Sequence, residues 1–163
     1  MEVRVAIAYT GKHYISGSRK RLKNKVCITS IGLLSQQWQE MIRERLYAHY
    51  DLQGTKTLVI GGDGSPWVGT SFDLLGVNNS TRILDPYHVK RAISSAFGTS
   101  LDIKEVIQQL YSHGFLSVEK TLLEACVGVS AATTKVRLDC LQYLRNHADE
   151  IINGFSLGAI ESN

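Results

Sequence analysis

The stretch TLVIGGDGSPW, residues 57–67, decides how the fold of this chain is interpreted. Its run at 57–60 is too short for a helix and ends at two glycines, which favours a strand buried on both faces. Asp63 follows, so its carboxylate is predicted to lie at the carboxyl edge of a sheet, where open α/β folds bind ligands. The glycines would let a phosphate or a metal ion approach the backbone. A simple Asp-Gly turn is the alternative.

A second acidic motif follows the next predicted strand. Residues 81–84 form a short β-prone run that ends at Asp85 and Pro86. Asp85 and His88 would therefore reach the same edge of the sheet as Asp63. An Asp-Pro turn and a surface histidine at the start of a helix are the alternatives.

The sequence before residue 57 predicts two strands and a helix. Residues 3–9 alternate larger and smaller side chains with a period of two, and residues 26–31 form a second β-prone segment. Together they predict a hairpin with a long basic tip. Apolar residues at helical spacing within 35–50 predict an amphipathic helix.

The basic tip is a candidate DNA-binding surface. Its cations can neutralise several phosphates, although a solvated loop has the same composition. The formal net charge of +3 is too small to prove a nucleic-acid partner. The candidate phosphate ligands are Lys12, Arg19, Lys20, Arg21, Lys23 and Lys25.

The second half of the sequence predicts helices alone. Asp102, Ser117 and Ser130 are predicted to cap three of them, and three or four helices are expected after His88. No repeat or linker separates this block from the strands. We therefore interpret it as an insertion into, or a continuation of, the same domain.

The composition is that of one globular domain. The chain has 163 residues, of which 44% are hydrophobic, enough for a sizeable core. No apolar run approaches the ~20 residues that span a bilayer, and the N-terminus has no signal pattern, so we expect a cytoplasmic protein without a membrane partner. The three widely spaced cysteines favour neither a disulfide framework nor a zinc site.

In order and approximate spacing, these motifs resemble those of the ISLre-type insertion-sequence transposases. The family motifs look like AYEGK, YDL, GDGAxWI, LDxFHLxKAI and IESN. The resemblance covers nearly the whole chain, and the combination is specific. The matching segments are AYTGK (8–12), RKRLKNK (19–25), YDL (50–52), GGDGSPW (61–67), LDPYHVKRAI (84–93) and GAIESN (158–163).

The resemblance implies an RNase H-like fold, a mixed α/β sheet with an all-helical insertion before the last catalytic acid. Residues 1–97 would form the core strands and helix, residues 98–155 the insertion, and residues 156–163 the start of the helix that carries this acid. The family performs DDE-type transposition in bacteria. The implied partners are therefore transposon ends and target DNA, with a homo-oligomer left open.

The resemblance also implies a metal site. The family's three acids hold two Mg²⁺ or Mn²⁺ ions, typically about 4 Å apart in such sites. The second acid is carried onto Asp63 and the third onto Glu161, with Asp85 and His88 as supporting residues. By itself, an acid so near a chain end is ordinarily frayed and solvated.

The first acid of the family has no counterpart here, because it lies on a strand upstream of the AYEGK strand. We therefore expect weak metal binding and little strand transfer from this chain alone, as from an internal fragment or a decayed copy. Strands next to the missing one would keep unmatched backbone groups, each costing ~1 to 3 kcal/mol if buried.

Three other functions remain open at this point. An RNase H-like nuclease would share the site but cleave without joining ends. A non-catalytic DNA-binding or inhibitory transposase remnant would need no metal. An unrelated α/β domain could use Gly61–Gly64 as an anion loop, although the spacing fits neither GxxxxGK[ST] nor GxGxxG.

Overall fold

The computed structural model describes residues 2–17, 19–73 and 75–156, which fall into two units. The first unit comprises Met1–Thr57 and Pro66–Asn79, and the second comprises Leu58–Ser65 and Ser80–Asn163. Both contain strands and helices, so the predicted α/β class is confirmed at that level.

The first unit consists of antiparallel strand pairs and two helices. β1 (Val3–Ala8) pairs with β4 (Val26–Ile31) and β2 (Gly11–Ser16) pairs with β3 (Arg19–Lys23), so the predicted basic tip is itself a hairpin. The strands predicted at 3–9 and 26–31 and the helix predicted at 35–50 are confirmed. The elements are β1 (Val3–Ala8), β2 (Gly11–Ser16), β3 (Arg19–Lys23), β4 (Val26–Ile31), α1 (Ser35–His49) and α2 (Pro66–Asp73).

One face of the β1–β4 pair packs on α1, and it is the face with the less apolar side chains of β1. Arg4, Ile28 and Ser30 share this face and are buried. α1 packs against β4 and contributes the buried residues Trp38, Ile42 and Leu46. The large aliphatic side chains of the opposite face are more than half exposed; they are Val3, Val5, Ile7 and Ile31.

The second unit begins with a parallel strand pair. β5 (Leu58–Gly62) and β6 (Ser80–Leu84) pair from Leu58 opposite Ser80 to Gly62 opposite Leu84. Both strands were predicted. The prediction that β5 is buried on both faces is wrong, because Ile60 is buried whereas Val59 is 45% exposed. Within the described ranges β5 hydrogen-bonds to no strand except β6.

Five helices follow β6 in the part of the chain that the structure describes. Asp102 caps the helix Ile103–His113 by accepting hydrogen bonds from the backbone amides of Lys104 and Glu105, and Ser130 caps the helix Ala131–Asn146, as predicted. Ser117 does not cap a helix but lies inside the helix Leu116–Glu124. The helices are α3 (Pro86–Phe97), α4 (Ile103–His113), α5 (Leu116–Glu124), α6 (Ala131–Asn146) and α7 (Ala148–Ser156), with a 3₁₀ turn at Gly98–Ser100.

Four of these helices, α4 to α7, begin after His88, in agreement with the predicted three or four, and the last of them starts directly after α6. His147, which ends α6, leaves the helical conformation, and α7 begins at the next residue. α7 then packs against β6, where the Asn153 side-chain amide donates a hydrogen bond to the Arg82 carbonyl at 3.1 Å. A polar sequence between two helical stretches does not reveal such a turn.

A single apolar core joins β6 to all five helices. α3 shares this core with α4 to α7, so the boundary predicted at residue 97 does not coincide with the division into units. No helix of the described residues is long and apolar enough to cross a membrane. The most deeply buried core residues are Leu84, Val89, Ile93, Phe97, Leu110, Val118, Leu122, Leu144 and Ile151.

Candidate functional site

Asp63 and Asp85 follow directly after two neighbouring strand ends. Gly62 is the register partner of Leu84, and the backbone amide of Asp85 donates to the Gly62 carbonyl at 2.8 Å. The backbone hydrogen bonding between the two strands therefore continues as far as Asp85. The structure brings these two predicted site residues to one edge of the second unit.

The Asp63 carboxylate is stabilised in its ionised form. Burial of part of the group opposes ionisation, but hydrogen bonds from Ser65, with a smaller contribution from His88, outweigh it and hold the pKa of Asp63 below its ordinary value. The backbone amide of Ser65 donates to Asp63 Oδ1 at 2.9 Å. A charged carboxylate is thus available at neutral pH.

Asp85 has a structural role at the start of α3. Its Oδ1 accepts a hydrogen bond from the backbone amide of Tyr87 at 2.9 Å, and Pro86 occupies the first turn, where a missing amide proton costs nothing. Its Oδ2 lies 4.0 Å from Nε2 of His88. The structure therefore brings the His88 imidazole close to the Asp85 carboxylate.

Two residues near the junction of α6 and α7, Tyr143 and His147, meet the turn that contains Asp63, and Glu150 contacts the second of them; the sequence does not identify these three residues. The Tyr143 hydroxyl donates to the Asp63 backbone carbonyl at 3.1 Å. His147 packs against Gly64 so closely that a Cβ there would lie 2.8 Å from Nε2. Its Nδ1 lies 3.0 Å from a carboxylate oxygen of Glu150.

Helical spacing was the one sequence signal for this group. Tyr143 and His147 are four residues apart, and Glu150 follows three residues later. Such spacing places side chains on one helix face but cannot say what that face meets. The sequence gives His147 no ligand-like spacing, so its contact with Gly64 is evident only from the structure.

Two tyrosines near the site, the half-buried Tyr143 and the buried Tyr111, differ in their hydrogen bonding. Burial, followed by the negative charges of Asp63 and Glu150, raises the pKa of Tyr143 to about 12, so its hydroxyl stays protonated and can donate. Tyr111 is 5% exposed, and its hydroxyl has no hydrogen-bond partner among the described residues. Burial and then the charge of Asp85 raise its pKa as well.

The predicted DNA-binding cations lie in the first unit, on β2, on β3 and in the turn after β3. Alternation along β3 places three of them on one exposed face. On the other face, Nζ of Lys20 lies 5.0 Å from the centre of the Tyr14 ring, a cation–π arrangement. The three residues that share the exposed face are Arg19, Arg21 and Lys23.

Residues 1–151 match the model of an uncharacterised protein family, UPF0236. The chain belongs to UPF0236. No curated protein and no solved structure matches it. The match covers the basic hairpin, both acidic motifs and most of the helical block of this UPF0236 chain.

The donor set for a divalent cation is partial in the described residues. The carboxylates of Asp63 and Asp85 are hard oxygen ligands of the kind that Mg²⁺ prefers. However, within residues 2–17, 19–73 and 75–156 no three His, Cys, Asp or Glu side chains are grouped so that they could hold a metal ion. Glu161 lies outside the described residues, as does most of the predicted segment 156–163 of this UPF0236 chain.

Proposed function

We propose that this chain belongs to the catalytic domain of a DDE-type transposase, with an RNase H-like arrangement of its sheet. Asp63 and Glu161 would hold Mg²⁺ or Mn²⁺ for the cleavage and transfer of DNA strands. The proposal draws on the resemblance to ISLre-type transposases. The observation that carries it is the placement of Asp63 and Asp85 at adjacent ends of a parallel strand pair.

Each site residue has a distinct task in this proposal. Asp63 supplies a carboxylate that is ionised at neutral pH. Asp85 caps α3 and keeps His88 beside the site. When bound, the metal ions would activate a water or a 3′-hydroxyl and stabilise the leaving oxygen.

Replacing Asp63 tests this proposal directly. We expect the full chain to bind Mn²⁺ and the Asp63→Asn variant to bind it at least roughly tenfold more weakly, because the amide has no charge to offer. Titration calorimetry or the electron paramagnetic resonance of free Mn²⁺ measures this. Glu161→Gln should lower the affinity in the same way.

Asp102→Asn is the matched control for the metal titration. Asp102 also caps a helix but lies on α4, and asparagine caps nearly as well as aspartate. Equal Mn²⁺ binding by wild type, Asp63→Asn and Asp102→Asn would contradict the proposed metal site.

Joining of DNA ends in a strand-transfer assay separates a transposase from a nuclease that only cleaves.

A non-catalytic DNA-binding protein is the second candidate function, and the β2–β3 hairpin favours it. The exposed face of β3 offers a row of cations that can follow a phosphate backbone. The base of the hairpin is held by Tyr50, whose hydroxyl lies within hydrogen-bond distance of the carbonyls of Ala8 and Asn24. A fixed row of cations loses less conformational entropy on binding than a solvated loop.

Neutralising this row of cations should lower the affinity for DNA and make that affinity less sensitive to salt concentration. For the triple variant Arg19→Gln, Arg21→Gln, Lys23→Gln, we expect the slope of log affinity against log salt to fall by about 3, one for each lost phosphate contact. Fluorescence anisotropy with duplex DNA at several salt concentrations measures the slope.

A second triple variant controls for net charge. Lys104, Lys120 and Lys135 are exposed on helices of the second unit, and their replacement by glutamine removes the same charge. An equal loss of affinity in both triple variants would refute a localised hairpin interface. DNA binding that is unchanged in Asp63→Asn, together with an absence of Mn²⁺ binding, would favour the non-catalytic function.

A further inference from the structure

The position of the Asp63 carboxylate depends on the backbone of its turn. The strand ladder ends at the hydrogen bond between the Asp85 amide and the Gly62 carbonyl, and Asp63 lies beyond it. Its neighbour Gly64 has a φ of +85° and no side chain with which to anchor the loop. Within the turn, the Ser65 amide donates to Asp63 Oδ1, and contacts from outside the turn can restrict its conformations further.

We infer that Tyr143 and His147 are positioning residues that hold the Asp63 turn in the conformation required for metal binding. Tyr143 does so through its hydrogen bond to the Asp63 carbonyl, which fixes the backbone next to the carboxylate. The link to metal binding rests on the proposed function. The restraint that these two side chains place on the turn follows from their contacts alone.

His147 occupies the space that a side chain at residue 64 would need. Its ring lies against Gly64 and 5.0 Å from the ring of Tyr143, and Glu150 binds its Nδ1. A carboxylate at one ring nitrogen sets the orientation of the ring, as in many histidines that serve a functional site. The His147 ring therefore restricts the turn at Gly64, while the Tyr143 hydroxyl restrains it at Asp63.

The helices that carry these side chains are well anchored. Leu144 and Ile151, one on each helix, are fully buried in the core. The His147 carbonyl accepts a hydrogen bond from the Ile151 amide at 3.0 Å, which ties the junction together. Positioning residues on a rigid support hold a site more tightly than residues on loops.

Amide hydrogen exchange tests this inference without any metal. The Ser65 amide, which donates to the Asp63 carboxylate, reports whether the turn is closed. In the full chain with Tyr143→Phe, we expect the Ser65 amide to exchange roughly five to ten times faster, the loss of about one hydrogen bond. The amides of Leu144 and Ile151 should keep their protection, because the ring of residue 143 remains.

Tyr111→Phe is the matched control, because it removes a buried hydroxyl that has no partner among the described residues. It should leave the Ser65 amide unchanged. Glu150→Gln keeps an oxygen that accepts from His147 and should preserve protection, whereas Glu150→Ala should not. Unchanged Ser65 exchange in Tyr143→Phe, or an equal change in Tyr111→Phe, would overturn the inference.

Mn²⁺ titration then separates positioning from a purely structural contact. If wild type binds Mn²⁺ through Asp63, Tyr143→Phe should weaken binding roughly tenfold at an unchanged melting temperature. Unchanged Mn²⁺ affinity despite faster exchange would refute the positioning role. If wild type binds no Mn²⁺, the proposed function and the role in metal binding fall together, and the exchange data still decide whether the helices hold the turn.

Discussion

Arg137→Met is expected to lower the free energy of unfolding of the second unit by about 3 kcal/mol. The arginine is 6% exposed, and its guanidinium donates to the carbonyls of Ala96 and Ala125 and, at 2.7 Å, to Ser100 Oγ. It also lies over the Phe97 ring at 5.4 Å. Methionine retains the apolar stem but removes the guanidinium donor from these three acceptors, of which the Ala96 carbonyl is buried. Urea denaturation followed by circular dichroism measures the loss.

Arg145→Met is the control for Arg137→Met, because both arginines lie on α6 and the substitution is the same. The Arg145 side chain is half exposed and pairs with Glu119. Exposed ion pairs contribute little, so we expect a loss below ~1 kcal/mol. Comparable losses in the two variants would show that the buried hydrogen bonds of Arg137 do not stabilise the helical block. Arg137→Lys should fall between them, since lysine offers a point charge in place of a planar fork.

Gly64→Ala is expected to destabilise the second unit by roughly 2 to 4 kcal/mol. Two effects add here. The φ of +85° is strained for any residue with a Cβ, and that Cβ would lie 2.8 Å from His147 Nε2 and 3.2 Å from a methyl carbon of Leu84. His147 cannot move away freely, because Glu150 holds its ring. Thermal and urea unfolding would measure the change.

Gly128→Ala separates backbone strain from steric overlap. Gly128 has a φ of +76°, but a Cβ there would meet nothing within 4 Å. We therefore expect this variant to lose only ~1 kcal/mol. Removing the imidazole with His147→Ala should restore part of the stability of Gly64→Ala. Equal losses at Gly64 and Gly128 would show that the histidine does not restrict the turn.

The five substitutions at the site and in the core test two different properties, folding stability and metal binding. Arg137 and Gly64 concern folding, whereas Asp63 and Glu161 concern metal binding. Tyr143 links the two, because its hydroxyl joins α6 to the turn that carries the carboxylate. A variant that weakens metal binding at constant stability without faster Ser65 exchange therefore identifies a ligand, and one that also accelerates Ser65 exchange identifies a positioning residue.

The sequence by itself determined the local elements. Alternation at residues 3–9, helical spacing at 35–50 and capping residues such as Asp102 are short-range signals, and they predicted strands and helices that the structure contains. Short-range signals also placed Asp63 and Asp85 directly after strands. Because parallel neighbours end at one edge, their common location followed from the order of the strands.

Only the tertiary structure decided which faces are covered and what meets the Asp63 turn. Alternation at residues 3–9 distinguishes two faces of β1 but not which one is buried. α1 packs on the face with the less apolar side chains of β1, because burial depends on the packing partner and not on residue size. Tyr143 follows Asp63 by 80 residues, and no local pattern encodes a contact over that separation. The motif supplies the carboxylate, and long-range packing determines where it points.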